Sequence, residues 1–273
     1  MEKYKNILTT TTLIPLWAKA VESVEKDPIL MDRHAYPMLK DLGYDLNLYD
    51  KRKQNPSQVG CCLRAKWMDD ETLNFIAHHQ PCQIIQLGAG IDDRFRRICM
   101  PEGIVHWYDL DLPEVAAMRK EVIPKLERNN ILSMNMFDTE WMEQLKANKL
   151  PTLVIIEGVL MYIPEEDIKQ LIEKISTYLG PVTILCDSVP KIAVGKARYH
   201  DAVKKYNDKV EYVWGVKDKE TVIQLSPKVV LEKFIYMSDL PKAYKFLWFL
   251  RWMWKIPYFY RNTNQILVKF KIK

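Results

Sequence analysis

The chemical feature that stands out is a glycine turn after an apolar run. In QIIQLGAGIDDRF, residues 83–95, Gly88 and Gly90 allow a sharp backbone turn and the close approach of a ligand. The dinucleotide-binding pattern needs a third glycine, but Asp93 stands at that position and Asp92 precedes it. Two carboxylates at the start of the next helix would repel a pyrophosphate. No Gly-Lys-Ser/Thr triplet follows either, so the turn is not expected to bind phosphate.

A nucleoside cofactor without phosphate suits this turn better. S-adenosylmethionine carries a sulfonium cation, which neighbouring carboxylates tolerate. Its amino-acid part needs the space that Gly88 and Gly90 leave open. The turn therefore favours S-adenosylmethionine as cofactor, with S-adenosylhomocysteine as the product.

Acidic residues end two other apolar runs. Asp109 and Asp111 lie in YDLDLP, about 20 residues beyond the glycines, where a carboxylate accepts hydrogen bonds from ribose hydroxyls. They project to one side of a strand, so one is expected to bind ribose. The alternative for either aspartate is an N-cap of the next helix. Glu157 breaks the run TLVIIEG, either as a site residue or as a carboxylate with a partner inside the protein.

Short apolar runs that alternate with helical stretches predict the scaffold that positions these residues. Runs of consecutive apolar residues are typical of strands covered on both faces, and the alternation predicts crossovers in a parallel sheet. The fold class is therefore α/β, a doubly wound and mostly parallel sheet. Helices are expected at 12–26, capped by Thr12, and at 62–79, and the last two strands are expected to pair as an antiparallel edge. The predicted strands are 83–88, 104–110, 130–135, 152–158, 182–188, 229–237 and 265–272.

The composition is that of an ordinary globular protein. Of the 273 residues 48% are apolar, and 40 Lys and Arg against 35 Asp and Glu leave a net charge of +5. The excess is dispersed, whereas nucleic-acid-binding proteins usually carry a basic stripe, so no nucleic-acid partner is expected. The five cysteines form no CxxC pair and no zinc spacing, which predicts no metal site and reduced thiols in the cytoplasm. Neither a signal peptide nor a membrane-spanning segment is expected.

Three motifs in this order and spacing resemble the leucine carboxyl methyltransferase family: LGAGIDDRFRR, WYDLDLPEV and IIEGVLMYI. The upstream TLIPLWAKA and CLRAKWMDD, and the later FDTEW, are similar to its bacterial branch of polyketide-type carboxyl O-methyltransferases. The resemblance covers residues 9 to about 190. It implies a class I, Rossmann-like fold with seven strands, N-terminal helices and a helical cap. It also implies methyl transfer from S-adenosylmethionine to an oxygen, a carboxylate of a small-molecule acid.

The resemblance assigns a role to each residue of the cofactor site. Arg64 would pair with the carboxylate of the methionine moiety, a task suited to a guanidinium group. Gly88 and Gly90 would line the same moiety. Asp111 would hold the ribose, and Glu157 would lie near the sulfonium or the amino group.

Four more residues are candidates near the adenine and the acceptor. Asn135 and Met136 stand where the family has an Asp-Leu pair beside the adenine. Tyr162 is a candidate for facing the acceptor, or else a core or lid tyrosine. A carboxylate acceptor is already ionised and needs no base, whereas a phenol or alcohol would need one. His200 is the candidate base in that case, and a surface position is its alternative.

The predicted domain organisation is one methyltransferase domain over 1–273, with an N-terminal helical extension at 1–80 and a substrate cap at 190–263. The aromatic segment 243–260 has three interpretations: a helix packed on the sheet edge, a lid with an apolar wall for a hydrophobic substrate, or a shallow membrane contact. Three cations are expected at the mouth of the site, solvated unless they meet an anionic acceptor: Arg94, Lys191 and Arg198.

Two other functions stay open at this point. A nicotinamide-dependent oxidoreductase could use a similar sheet, although the missing third glycine argues against it. A non-catalytic protein could keep the cofactor fold and act as a binding partner. The sequence does not predict the oligomeric state.

Overall fold

A seven-stranded sheet organises the protein. The computed structural model describes residues 7–48, 55–98, 106–146, 148–197 and 210–273. The strands are β1 (Gln83–Leu87), β2 (His106–Asp111), β3 (Asn129–Ser133), β4 (Thr152–Ile156), β5 (Val182–Ser188), β6 (Val229–Tyr236) and β7 (Ile266–Ile272). The helices are α1 (Ile7–Glu22), α2 (Ala35–Asp41), α3 (Asn55–His78), α4 (Arg94–Arg97), α5 (Pro113–Val122), α6 (Glu140–Lys146), α7 (Glu165–Leu179), α8 (Lys219–Ile223), α9 (Trp248–Met253) and α10 (Pro257–Thr263).

The strand order is β3-β2-β1-β4-β5-β7-β6, which confirms the predicted sheet. The first five strands pair in parallel, and every residue of β1, β4 and β5 is buried. Two apolar clusters cover the two faces of the sheet, which explains why these strands are apolar at consecutive positions. The last strand pairs antiparallel with both β5 and β6, so β6 forms the outer edge.

The N-terminal helices differ from the prediction at their starts. Helix α1 begins at Ile7, so Thr12 lies inside the helix and does not cap it, and Pro15 is also internal. Helix α3 begins at Asn55, seven residues before the predicted start at Cys62. The two helices pack against each other, with Trp17 fully buried between them and the rest of the core. They thereby form a wall beside the carboxyl ends of the strands.

The segment after β5 contributes short elements around the sheet. Residues 191–193 and 237–239 form 3-10 turns, and α8, α9 and α10 are each seven residues or shorter. The stretch KARYHDAVKKYND, residues 196–208, has the pattern of a helix, but its residues beyond Ala197 lie outside the described part of the chain. Over the described ranges, no helix is long and apolar enough to cross a lipid bilayer.

Candidate functional site

A cavity of about 680 Å³ lies at the carboxyl ends of the parallel strands. Residues that follow β1, β2, β3 and β4 line it together with α1 and α3. This edge is where open α/β sheets bind ligands, and the volume suits a nucleoside cofactor with a small acceptor. Every described residue to which the resemblance gives a role at the cofactor or the acceptor lines it: Arg64, Gly88, Gly90, Asp111, Asn135, Met136, Glu157 and Tyr162.

The glycine turn forms one wall of the cavity. Gly88 and Gly90 adopt φ angles of +67° and +55°, which favour glycine. The N–H groups of Gly88 and Ala89 donate to the Leu110 carbonyl at 2.9 and 3.1 Å, and these bonds tie the turn to β2. A Cβ on Gly88 would lie 2.5 Å from Cγ2 of Val159, far inside the usual carbon separation of about 3.5–4 Å. Only glycine therefore fits at this position.

Asp111 faces the cavity and supports the turn. Its Oδ2 accepts from the Gly90 N–H at 2.7 Å, and its Oδ1 accepts from the Leu112 N–H at 2.8 Å. Burial raises the pKa of the Asp111 carboxyl above its usual value, whereas the two backbone hydrogen bonds lower this pKa by a smaller amount. The N-cap alternative for Asp111 is wrong, because Leu112 is the cap residue of α5. Asp109 lies behind the wall, buried and paired with Arg119, and it does not line the cavity.

Arg64, from α3, is held between two carboxylates at the ends of β4 and β5. Its Nε donates to Glu157 at 3.0 Å and its Nη1 donates to Asp187 at 3.1 Å. Asp187 is fully buried, and it also accepts from the Gly158 N–H at 2.6 Å and from Gln265 at 2.7 Å. Burial opposes the charge on Arg64, but Asp187 and Glu157 outweigh it and raise the pKa of the guanidinium well above its usual value.

Arg94 was expected to be a solvated residue at the mouth of the site. This expectation is wrong, because Arg94 is completely buried. It extends from α4 beneath the cavity floor. Its Nε donates to Asp69 at 2.7 Å, its Nη1 donates to Gln86 at 2.9 Å, and its Nη2 pairs with Glu157. The sequence did not suggest burial, since arginines are usually exposed. A buried arginine is stable only when carboxylates from other parts of the chain pair with it.

Asp92 and Asp93 form ion pairs and neither caps a helix through its side chain. Asp92 lines the cavity, pairs with Lys19 of α1, and accepts from Arg97 at 2.6 Å. Burial would raise its pKa, but Arg97, Lys19 and Arg94 outweigh burial and hold the pKa well below its usual value. Asp93 does not line the cavity, and its side chain pairs with Arg96.

The ion pairs in and behind the cavity wall join into one buried network with an excess of negative charge. Four cations meet five carboxylates in it. S-adenosylmethionine carries one net positive charge, from its ammonium, carboxylate and sulfonium, so the network complements it. Together with the glycine turn, the residues present fit this cofactor. The members are Lys19, Arg64, Arg94, Arg97, Asp32, Asp69, Asp92, Glu157 and Asp187.

The charge on Glu157 is expected to make the folded state acid-sensitive. Burial opposes its ionisation, but Arg94 and Arg64 outweigh burial and lower its pKa from 4.5 to about 2. Because the folded-state pKa lies below the unfolded-state value, roughly 3 kcal/mol of stability is present above about pH 4.5 and lost as the pH falls towards 2. Glu157→Gln should remove this part of the pH dependence.

Urea unfolding at about pH 7 and about pH 3 measures the effect. Glu166→Gln is the matched control, because the Glu166 side chain is exposed on the first turn of α7. It should keep the wild-type difference in unfolding free energy between the two pH values. An equal pH dependence in Glu157→Gln and wild type would contradict the assignment.

Two tyrosines form the outer part of the cavity. Tyr162, in the 3-10 turn Leu160–Tyr162, has its ring centroid 5.6 Å from that of Tyr212. Both rings line the cavity, and Tyr162 is 38% exposed towards it. Burial raises the pKa of Tyr162 to about 12, while Arg64 and a hydrogen bond with Tyr212 oppose the rise. The Tyr162 hydroxyl therefore stays protonated at neutral pH and can donate a hydrogen bond.

The other predicted residues lie in three kinds of place: in the cavity lining, on the surface, or outside the described part of the chain. Asn135 and Met136 line the cavity after β3, where the Asn135 Oδ1 accepts from the Phe137 N–H at 3.0 Å. Lys191 is exposed and is not part of the lining. His200 and Arg198 lie outside the described residues.

The aromatic segment 243–260 is not a lid over this cavity. The segment is described throughout, and none of its residues appears in the cavity lining. Helices α9 and α10 have no buried residue of their own. Only part of the segment packs, since Ala243 and Phe246 are buried in the core beside α1 and α3. Leu250 and Trp254 pack, partly buried, against the same cluster, so the packing interpretation holds for one side of the segment.

Several residues of the site were missed by sequence reasoning. Asp187 carried a usable signal, because it ends the apolar run VTILCDS as Glu157 ends its own. Lys19 sits in an amphipathic helix like many surface lysines, and nothing local marks it. Tyr212 also lacked a signal, since it follows a stretch without clear periodicity.

Comparison with known proteins identifies the family. The family model described as leucine carboxyl methyltransferase matches residues 12–176, more than half of the chain. The chain belongs to the leucine carboxyl methyltransferase family. It is an S-adenosylmethionine-dependent methyltransferase, which confirms the predicted cofactor and reaction class. Neither the nicotinamide oxidoreductase nor the non-catalytic alternative is favoured by this assignment.

Individual relatives and structures agree with the family. The Streptomyces glaucescens tetracenomycin polyketide synthesis O-methyltransferase TcmP is 23% identical over 85% of this chain and 83% of its own. The Gibberella zeae S-adenosyl-L-methionine-dependent methyltransferase dpfgK is 25% identical over 65% of this chain and 64% of its own. A presumed methyltransferase from Thermobifida fusca superposes with a TM-score of 0.57 at 12% identity, covering 87% of this chain and 94% of its own. This last similarity shows the fold.

Proposed function

We propose that this methyltransferase esterifies a carboxylate of a small molecule. The observation that carries the proposal is the pair of Tyr162 and Tyr212, whose rings lie 5.6 Å apart and line the outer part of the cavity. A hydroxyl with a pKa of about 12 is a hydrogen-bond donor, not a base, at neutral pH. No histidine occurs among the described lining residues. Such a site suits an acceptor that is already ionised.

The relatives support an oxygen acceptor on a small molecule. The relative TcmP is named as an O-methyltransferase of polyketide synthesis. The outer cavity of this chain is lined largely by apolar side chains, which suit the hydrocarbon part of such an acid. They include Met134, Val159, Met161, Ile163, Val189 and Val210.

We assign the cofactor contacts as follows. The cofactor supplies a methyl group that is activated by attachment to the sulfonium sulfur. Arg64, whose Nε and Nη1 are held by Glu157 and Asp187, presents Nη2 to the carboxylate of the methionine moiety. Gly88 and Gly90 leave space for that moiety.

The remaining contacts orient the nucleoside and exclude water. Asp111 accepts from the ribose hydroxyls, and Asn135 and Met136 bound the adenine. Glu157 lies near the sulfonium and fixes the orientation of Arg64. Alignment of the donor and acceptor in a cavity of low water content provides most of the rate enhancement.

The test is the chemical nature of the methylated product. The enzyme is incubated with methyl-labelled S-adenosylmethionine and a panel of carboxylic acids and phenols, and the products are treated with mild alkali. Methyl esters hydrolyse and release volatile labelled methanol, whereas methyl ethers keep the label. We expect alkali-labile label. Alkali-stable label on a phenol, with no transfer to any acid, would show that the acceptor is a hydroxyl.

We also propose a cytoplasmic protein without a nucleic-acid partner. Four cysteines in the described part of the chain are free thiols, which supports a reducing compartment: Cys61, Cys62, Cys82 and Cys186. The nearly balanced charge supports a small-molecule acceptor over nucleic acid.

A further inference from the structure

An exposed aromatic surface lies on α9 and α10, outside the cavity. We define the aromatic patch as Tyr244, Trp248, Phe249, Trp252, Ile256 and Tyr258, all exposed. Trp248 is 76% exposed and Trp252 60%, whereas five of the other six tryptophans are buried. Six of the fourteen large apolar side chains exposed in the described ranges lie within these 15 residues. Such clustering marks an interaction surface, unlike scattered exposed apolar residues.

Helix α9 is apolar on two opposite sides. Leu250 and Trp254 pack against the core of the N-terminal helices, where Phe246 meets Trp254 edge-on at 5.1 Å. Trp248 and Trp252, four residues apart, share the opposite side. The inner side therefore accounts for the folding of α9, and a second apolar side that stays exposed marks an interaction surface. Trp248 and Trp252 are on the exposed side, so they contribute little to folding. Two large apolar side chains that stay exposed to water point to a binding role.

The charge around the patch identifies the partner that suits it. The last acidic residue of the sequence is Asp239, so residues 240–273 carry only positive charges. A surface groove beside the tryptophans is lined by three cations, Lys242, Arg251 and Lys255, and by one carboxylate, Asp239. Lys242 pairs with Asp27, whereas Arg251 and Lys255 make no ion pair within the described part of the chain. Tryptophan and tyrosine with arginine and lysine are the side chains that favour the interface of anionic bilayers.

We propose that the aromatic patch docks this enzyme on the surface of anionic lipid bilayers. Trp248 and Trp252 enter the headgroup region, and Arg251 and Lys255 bind lipid phosphates. The docking is peripheral, because α9 and α10 have six and seven residues and about 20 are needed to cross a bilayer. The proposal does not depend on the identity of the methyl acceptor.

Co-sedimentation of the full chain with vesicles tests the proposal. The vesicles are phosphatidylcholine alone, or phosphatidylcholine with about 25% phosphatidylglycerol at low salt. The wild type should sediment with the anionic vesicles and bind the neutral ones at least about tenfold more weakly. Trp248→Ser/Trp252→Ser should lower the partition coefficient about tenfold or more. Arg251→Gln/Lys255→Gln should lower it about fivefold for each cation removed.

Matched variants separate docking from general effects. Ile223→Ser/Val230→Ser removes two other exposed apolar side chains, and Lys120→Gln/Lys219→Gln removes two other exposed cations. Both should bind anionic vesicles as the wild type does, and all variants should keep the wild-type melting temperature. The proposal is overturned if the wild type stays in the supernatant, or if the patch variants bind as well as the controls. Self-association that Trp248→Ser/Trp252→Ser abolishes, without vesicle binding, would assign the patch to a second copy of the chain.

Discussion

Gly88→Ala is expected to abolish measurable S-adenosylmethionine binding and to lower the free energy of unfolding by about 2–5 kcal/mol. Two physical effects add. The φ angle of +67° is costly for any residue with a Cβ. The new methyl group would also stand 2.5 Å from Cγ2 of Val159, whose branched side chain has little rotamer freedom. Relief of this contact has to move the turn that lines the cofactor cavity.

A double-mutant cycle with Val159→Ala separates the two effects. In Gly88→Ala/Val159→Ala the steric contact is gone and the φ cost remains, so stability should recover by about 1–3 kcal/mol relative to additive behaviour. Gly43→Ala is the control for the φ cost alone, because Gly43 has a φ of +82° and no atom within 4 Å of its Cβ position. It should cost about 1 kcal/mol and leave cofactor affinity unchanged.

Urea unfolding and isothermal titration calorimetry measure the stability and the affinity. If Gly88→Ala costs no more than Gly43→Ala, the close approach to Val159 has no energetic consequence. If Gly88→Ala binds S-adenosylmethionine like the wild type, the turn is not the cofactor wall.

Asp111→Asn is expected to weaken S-adenosylmethionine binding about 10- to 100-fold while the chain stays folded. The carboxylate accepts backbone N–H groups from Gly90 and Leu112 and, in our proposal, the ribose hydroxyls. Asparagine keeps the shape but replaces one acceptor oxygen by a donor, so one N–H loses its partner and the hydroxyls lose a charged acceptor. Hydrogen bonds to a charged group contribute about 1.5–3 kcal/mol each.

Asp93→Asn is the matched control for this substitution. Asp93 is a buried carboxylate at the end of the glycine turn that Asp111 supports, but it does not line the cavity. Its variant should bind the cofactor within about twofold of the wild type. Titration calorimetry gives the affinities, and melting temperatures show that both variants are folded. Equal affinities for Asp111→Asn and Asp93→Asn would exclude Asp111 as a cofactor ligand.

Much of the site could be predicted, because the glycine turn and the acidic strand ends are visible as short patterns in the sequence. Gly88 follows an apolar strand, and Asp111 and Glu157 end two more. In a parallel sheet the ends of such strands meet at one edge, so residues distant in sequence become neighbours without further information. The cavity lining contains all three, as the alternation of strands and helices predicted.

The electrostatics of the site could not be predicted in the same way. Arg94 and Lys19 are charged residues on helices, for which solvent exposure is the usual outcome. Their burial depends on Asp69, Asp92 and Glu157, which come from three separate segments and form ion pairs only after the helices pack on the sheet. A burial that depends on distant partners leaves no periodic trace in the sequence.

The sequence by itself determined the alternation of strands and helices, the glycine turn and the acidic strand ends, because hydrophobic periodicity and backbone permissiveness are local properties. Only the tertiary structure decided how charge is shared at the site and which side of segment 243–260 is covered. The ion pairs and the covered side of the segment both depend on which side chains the packing of helices on the sheet buries and which it leaves exposed. The aromatic residues of that segment have the composition of a core or a lid, yet the fold leaves Trp248 and Trp252 facing outwards.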